Sequence, residues 1–333
     1  GVRSAAYLAL VPASAGFVVT AWVVGLSLVP AILFGIYAML VLQRQFARVR
    51  ATADGQYSRV MASDLVYSAL LLMGVCALVF WPSEGVTTAM AVLALAVLGA
   101  FIPLMQLGRV QLPRFETAKV YSSVWQRDAR WSLMGVVSTE ATVNSHSYIV
   151  TGILGPAVYA PIAATVLFIR PITVAVNALV EFERARAAHC IARAEFAAIV
   201  KARVHLRLML LVIWIATGGL AALVIVFAPS EFMVAKFGLG TVLMGSVLWM
   251  GVALARLLHA PEGVILLAAG RFRQLSWISA STALVSVLAV LILIICQPPI
   301  YSIVGIILGE GMFAFIAWRA TERFLRATPC RGA

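Results

Sequence analysis

Two arginines stand where arginine is costly. Arg170 interrupts the apolar stretch TVLFIRPITVAVN, residues 165–177, and Arg256 interrupts the apolar run Gly238–Gly270. A charge near the middle of a bilayer costs a few kcal/mol or more, so it normally faces protein or a water-filled cavity and marks a substrate or ion path. On a 3.6-residue period Arg170 shares its face with Thr173 and Asn177, and Pro171 is expected to free a carbonyl and bend the helix there. The preceding apolar segment has its own polar stripe of Glu140, Asn144, Ser147 and Thr151, with His146 beside it. Further along lie His259 and Glu262, and Glu310 adjoins the small-residue pair Gly305-xxx-Gly309. Two cations with few acids to match them predict an interior that accepts an anion. Arg170 and Arg256 are candidates for lining that interior, and Asn144, Asn177, His146 and His259 are the neutral polar side chains that accompany them in the spans. Glu140, Glu262 and Glu310 are the acids within the spans.

Each of these residues also has a plainer reading. Glu140 could do no more than neutralise Arg170, if their depths match. Glu262 could pair with His259 or Arg256. Glu310 could be a detail of helix packing beside its glycines, and His146 could be wet near the outer boundary.

The elements that position these residues follow from composition. Of 333 residues 63% are hydrophobic and 11% charged, with a mean hydropathy of +1.01. Soluble domains carry about a quarter charged residues, so the chain is an integral membrane protein. Ten apolar runs are long enough to cross a bilayer. They are Ala5–Val24, Gly25–Leu42, Ala62–Trp81, Thr87–Leu107, Trp131–Leu154, Val158–Val180, Leu208–Ala228, Gly238–Gly270, Leu275–Ile295 and Ile300–Trp318. The expected fold is all-α and polytopic.

The loops between the runs alternate in charge, and together they hold 23 of the 25 Lys and Arg; the two left over are Arg170 and Arg256. By the positive-inside rule both termini lie in the cytoplasm. The net charge of +12 is therefore topology, and a nucleic-acid partner is excluded. The segment 184–207, RARAAHCIARAEFAAIVKARVHLR, reads as a surface helix lying on anionic lipid. Trp22, Trp81, Trp131, Trp277 and Trp318 sit near run ends as an aromatic belt. Loops on the other side are very short. Cys76, Cys190, Cys296 and Cys330 show no metal-ligand or disulfide pattern, so no metal or cofactor is expected. HExxH, GxSxG and dinucleotide fingerprints are absent, and no enzyme is predicted.

From Trp131 the sequence runs WSLMGVVSTEATVNSHSYIVTGILGPAVYAPIAATVLFIRPITVAVNALVEFERARAA. This resembles the opening of the second half of bacterial polysaccharide (O-antigen type) flippases, in the superfamily of MATE antiporters and lipid II flippases. RLLHAPEGVILLAAGRFRQ and FARVRATADGQYSRVMASDLVYSALLL are similar to other segments of that family. The resemblance implies a MATE-like fold of two helical lobes, here 1–130 with four spans and 131–333 with six. Family members have six spans in the first lobe, so the first two helices would be missing. VEFERARAA also departs from the proline-containing turn of many relatives.

The implied function is to flip an undecaprenyl-diphosphate-linked oligosaccharide across the bacterial inner membrane. The implied partners are that lipid-linked anion, membrane lipids, a polysaccharide polymerase and a chain-length regulator. Arg170 and Arg256 would hold the diphosphate, with Asn144, Asn177 and the histidines bonding sugar or phosphate. Glu140, with Glu262 and Glu310, would couple to a cation gradient. The alternatives are a MATE-like exporter of organic cations, which wants intramembrane acids instead, and an acyltransferase or polymerase of polysaccharide assembly. A polymerase typically has a large outer loop, and the chain shows none.

Overall fold

The computed structural model describes residues 2–23, 25–80, 85–105, 122–227 and 234–327. Arg109, Arg114 and Lys119 of the basic stretch between the fourth and fifth apolar runs lie outside the described residues, as do Trp81, Cys330 and Arg331. The described chain is helical, with no strand, and it divides into two compact units, Gly1–Trp125 and Gln126–Ala333. Ten long helices organise it. In the first unit they are α1 (Val2–Val23), α2 (Leu28–Ala53), α3 (Tyr57–Phe80) and α4 (Gly85–Ala100). In the second they are α5 (Arg130–Leu154), α6 (Pro156–Ala192), α7 (Phe196–Phe227), α8 (Leu239–Ala268), α9 (Phe272–Cys296) and α10 (Ser302–Ala327).

Eight of them are long and apolar enough to cross a membrane. Of the other two, α1 contributes the shorter apolar stretch Pro12–Val23, and the 25-residue α5 carries Glu140, Asn144 and His146. Large side chains such as Phe227, Ile295 and Phe80 are more than three-quarters exposed. That is the inverse of a soluble protein and suits a lipid solvent, which rewards backbone self-satisfaction rather than apolar burial. The chain is a multi-pass membrane protein.

Basic segments expected as loops are helical instead. In the first unit α2 runs on to Ala53, and only Asp54–Gln56 separates it from α3. The charges there are paired rather than solvated. Asp64 of α3 accepts from both Arg44 and Arg48 of α2, the latter at 3.0 Å. Arg44 also donates to the Ser63 hydroxyl (3.1 Å) and covers the Tyr67 ring (4.5 Å). Ser63 in turn donates to the Ala100 carbonyl of α4 (2.7 Å), so one cluster ties three helices.

The segment 184–207 is likewise no single surface helix. It is the end of α6 and the start of α7, joined by the tight turn Arg193–Glu195, where Ala194 adopts φ +58°. Ala187, Ile199 and Leu206 are buried, and Arg203 is turned inward. The expectation failed because the pattern was matched to lipid headgroups, whereas the inward face finds acids on α8 and α10.

In the second unit helix packing relies on small residues, as expected where lipid is as apolar as the side chains. A Cβ at Gly305 of α10 would lie 2.7 Å from the backbone N of Val290 on α9, and one at Gly309 would lie 2.6 Å from Ser286 Cβ. The core joins Ile162, Ile169 and Ile172 of α6 to Val252 of α8, Val290 of α9 and Ile303 and Ile306 of α10. The Arg170–Pro171 pair does mark an irregularity. Residues Val166–Ile169 form a 3-10 turn, and α geometry resumes at Arg170. Pro171 has no N–H to offer the carbonyl four residues back, so the preceding turn tightens.

Candidate functional site

The charged side chains inside the second unit fall into three groups. The first lies where the ends of α8 and α10 meet the beginning of α7. Glu262 of α8 is fully buried, yet it receives two guanidinium groups from α7. Arg203 Nε donates to Glu262 Oε1 at 3.0 Å, and Arg207 reaches the same oxygen. Arg203 Nη1 also donates to Glu322 Oε1 of α10 at 2.7 Å. Glu262 therefore pairs with neither His259 nor Arg256. The separation is helical: Glu262 follows Arg256 by six residues, more than a full turn and a half, and looks toward a different neighbour.

The second group is deeper. Arg256 lies about 18 Å along α8 from its Ala268 end. Its Nε donates to Glu310 Oε1 of α10 at 2.9 Å, and His259 Nε2 lies 2.8 Å from Glu310 Oε2. The spacing of three residues puts Arg256 and His259 on one face of α8, and each takes one oxygen of the same carboxylate. His259 also packs against the Phe313 ring, with centroids 4.5 Å apart and planes tilted by 58°. Glu310 is 6% exposed, so its carboxylate is desolvated, while Arg256 and His259 stay partly exposed. It sits one residue beyond Gly309, which lets α9 approach on the side away from it. Arg256 Nη2 is buried without a hydrogen-bond partner.

His146 of α5 extends this region. It is 3% exposed, not wet, and its ring nitrogens find no side-chain partner, only the Val143 backbone beside them. Its ring is packed by Trp249 (5.3 Å) and Tyr159 (5.7 Å), within electrostatic reach of Arg256. The Trp249 indole donates to the Ile162 carbonyl at 3.3 Å, which fixes that wall of the box.

The third group is on the surface of the unit. Arg170 is exposed and forms no ion pair among the described residues, while Asn177 is exposed one face-repeat further along α6. Glu140 does not neutralise Arg170: its carboxylate accepts from Asn144 Nδ2 of its own helix at 2.7 Å. The structure thus brings Arg256, His259, His146 and Glu310 together. It separates Glu262 from them, and it leaves Arg170, Asn177, Glu140 and Asn144 on helix surfaces. Sequence reading missed Arg203, Arg207 and Glu322, whose signal was hidden in a basic stretch that looked solvated. Among the described residues no cluster of His, Cys, Asp or Glu could hold a metal ion.

This arrangement of helices matches solved structures. A MATE in complex with MaL6 superposes with a TM-score of 0.71 at 13% identity, over 98% of this chain and 79% of that one. A MATE in the bent conformation matches with a TM-score of 0.67 at 14% identity, over the same shares. The fold is MATE-like. No protein-family model matches the sequence, and no curated protein matches it either.

In the six-helix second unit α8 turns Trp249 toward α6, Arg256 and His259 toward α10, and Glu262 toward α7. Membrane helices tolerate such charges only where partners meet them. Here the buried acids Glu262 and Glu310 are met, and Arg170 is an exposed cation of an apolar helix that forms no ion pair among the described residues.

Proposed function

We propose that this MATE-like protein is a membrane transporter that flips an undecaprenyl-diphosphate-linked oligosaccharide across the bacterial inner membrane, with its basic helix ends in the cytoplasm. One observation carries the choice of an anionic cargo. The buried carboxylates Glu262 and Glu310 are each met by two basic side chains, while Arg170 carries an unmatched charge on an apolar helix. An exporter of organic cations would keep an acid free for its cargo.

In this reading Arg170 binds the diphosphate through charge-assisted, fork-shaped hydrogen bonds. Arg256 contributes the edge of its guanidinium that Glu310 leaves unbonded. Asn177, Asn144, His146 and His259 supply hydrogen bonds to phosphate or sugar. Cation coupling falls to Glu140, since Glu262 and Glu310 are engaged. A polysaccharide polymerase and a chain-length regulator would act on the product.

Glu140, exposed and bonded only to Asn144, is the one feature that favours the cation-exporter reading. Complementation of a flippase-null strain tests the choice. Restored surface polysaccharide, lost in Arg170→Ala, supports flipping. Wild-type activity of both Arg170→Ala and Arg256→Ala removes the anionic cargo. Resistance to organic cations that depends on Glu140, without restored polysaccharide, selects the exporter.

A further inference from the structure

An open cleft of about 820 Å³ lies at the basic end of the second unit, between the start of α5 and the start of α9. Arg127, Asp128, Arg271, Arg273, Gln274 and Trp277 line it. Three guanidinium groups therefore face one carboxylate. Asp128 is engaged by Arg127 alone (2.8 Å). Arg271 reaches only the Gln274 amide oxygen, at 3.5 Å, and lies over the Phe324 ring at 5.1 Å. Arg273 forms no ion pair among the described residues and lies 5.3 Å over the Trp131 ring.

The backbone adds to the charge. Helix α9 begins at Phe272, and no side chain caps it. The first N–H groups of this 25-residue helix therefore lack intrahelical partners at a helix end that itself favours anions. The flank is aromatic. Trp131 and Trp277 stand 6.4 Å apart, and Trp277 is 57% exposed. Tryptophan at a span end marks the headgroup level of a bilayer. A cleft with surplus cations, free N–H groups and an interfacial aromatic wall has the chemistry of a site for a phosphate carried on an apolar anchor.

We infer that this cleft binds the headgroup of an anionic phospholipid from the leaflet on the basic side of the membrane. Arg271, Arg273 and the first turn of α9 hold the phosphate, and Trp277 packs against the glycerol and upper acyl chain. A free phosphate would use the arginines but gain nothing from Trp277. The site depends only on the membrane placement of the chain, so it stands whether or not the transported cargo is a lipid-linked sugar.

The test uses the full chain in lipid nanodiscs or mild detergent, with phosphatidylglycerol, phosphatidylcholine and inorganic phosphate as probes. Binding is read by native mass spectrometry and by the thermal midpoint. Phosphatidylglycerol should bind and stabilise. Arg271→Gln with Arg273→Gln should weaken it roughly thirtyfold, as expected for removing two arginines at an anionic surface. Trp277→Ala should weaken phosphatidylglycerol and leave inorganic phosphate unchanged. Arg319→Gln with Arg326→Gln, at the same end of α10, is the charge-matched control and should change little. If the double variant does not fold, Gln274→Glu supplies an acid in the cleft and should weaken binding alone. Equal losses in the control, equal binding of phosphatidylcholine, or binding of inorganic phosphate as tight as the lipid would each overturn the inference.

Discussion

Arg203 of α7 lies 2.8 Å from Glu262 of α8, and the carboxylate it meets has no exposed surface. With Arg207 and Glu322 the pair locks three helices at their basic ends. Breaking one partner of a buried pair leaves the other charge stranded. Glu262→Gln is therefore expected to cost about 3 kcal/mol and to lower the thermal midpoint in detergent. Glu322→Gln, whose partner keeps Glu262 and whose own carboxylate is 31% exposed, should cost far less.

The triad of Arg256, His259 and Glu310 supports a reciprocal test. Arg256→Glu alone places two carboxylates face to face and should abolish transport of a lipid-linked anion. Adding Glu310→Arg restores the pair with its ends reversed. A double-mutant cycle on protein stability should then show coupling of about 1 kcal/mol or more, as found for residues in one charge network.

Exposure separates Arg170 from Arg256. Arg170 holds nothing in place among the described residues, so Arg170→Ala should alter stability by less than about 0.5 kcal/mol. Transport in the complementation assay should still fall at least roughly tenfold, the effect of losing one charge-assisted contact. Arg170→Lys should recover part of it, because an ammonium keeps the charge but not the bidentate fork.

His146 occupies an aromatic box with no side-chain partner for either ring nitrogen. His146→Phe preserves the aromatic shape and removes two buried polar atoms that no side chain meets. Its stability should stay within about 1.5 kcal/mol of wild type, whereas His146→Ala should lose more through the cavity it leaves.

Close approach of α9 and α10 depends on two glycines. Gly305→Leu would drive a side chain into the Val290 backbone and should destabilise the protein by about 1–3 kcal/mol, seen as a lower thermal midpoint. Gly311, with open space around it, should accept alanine readily.

Eight of the ten expected spans were legible in the sequence, because hydrophobic length is a local quantity; α1 and the polar-striped α5 fall outside the eight. Roughly twenty apolar residues cross a bilayer whatever they pack against. The GIILG spacing likewise announced a close helix contact, since only a missing side chain permits one. Arg256 and His259 could be placed on one face by counting residues. What counting could not supply was the partner. Glu262 and His259 are three residues apart, yet one turns to α7 and the other to α10, and that choice is fixed by which helices stand beside α8. The same holds for Arg203, which reads as one more solvated cation in a basic linker until α7 is packed against α8 and α10. Hydropathy is summed along the chain, whereas a charge is matched across it, so membership of the membrane came from sequence and the pairing of its buried charges came only from the tertiary structure.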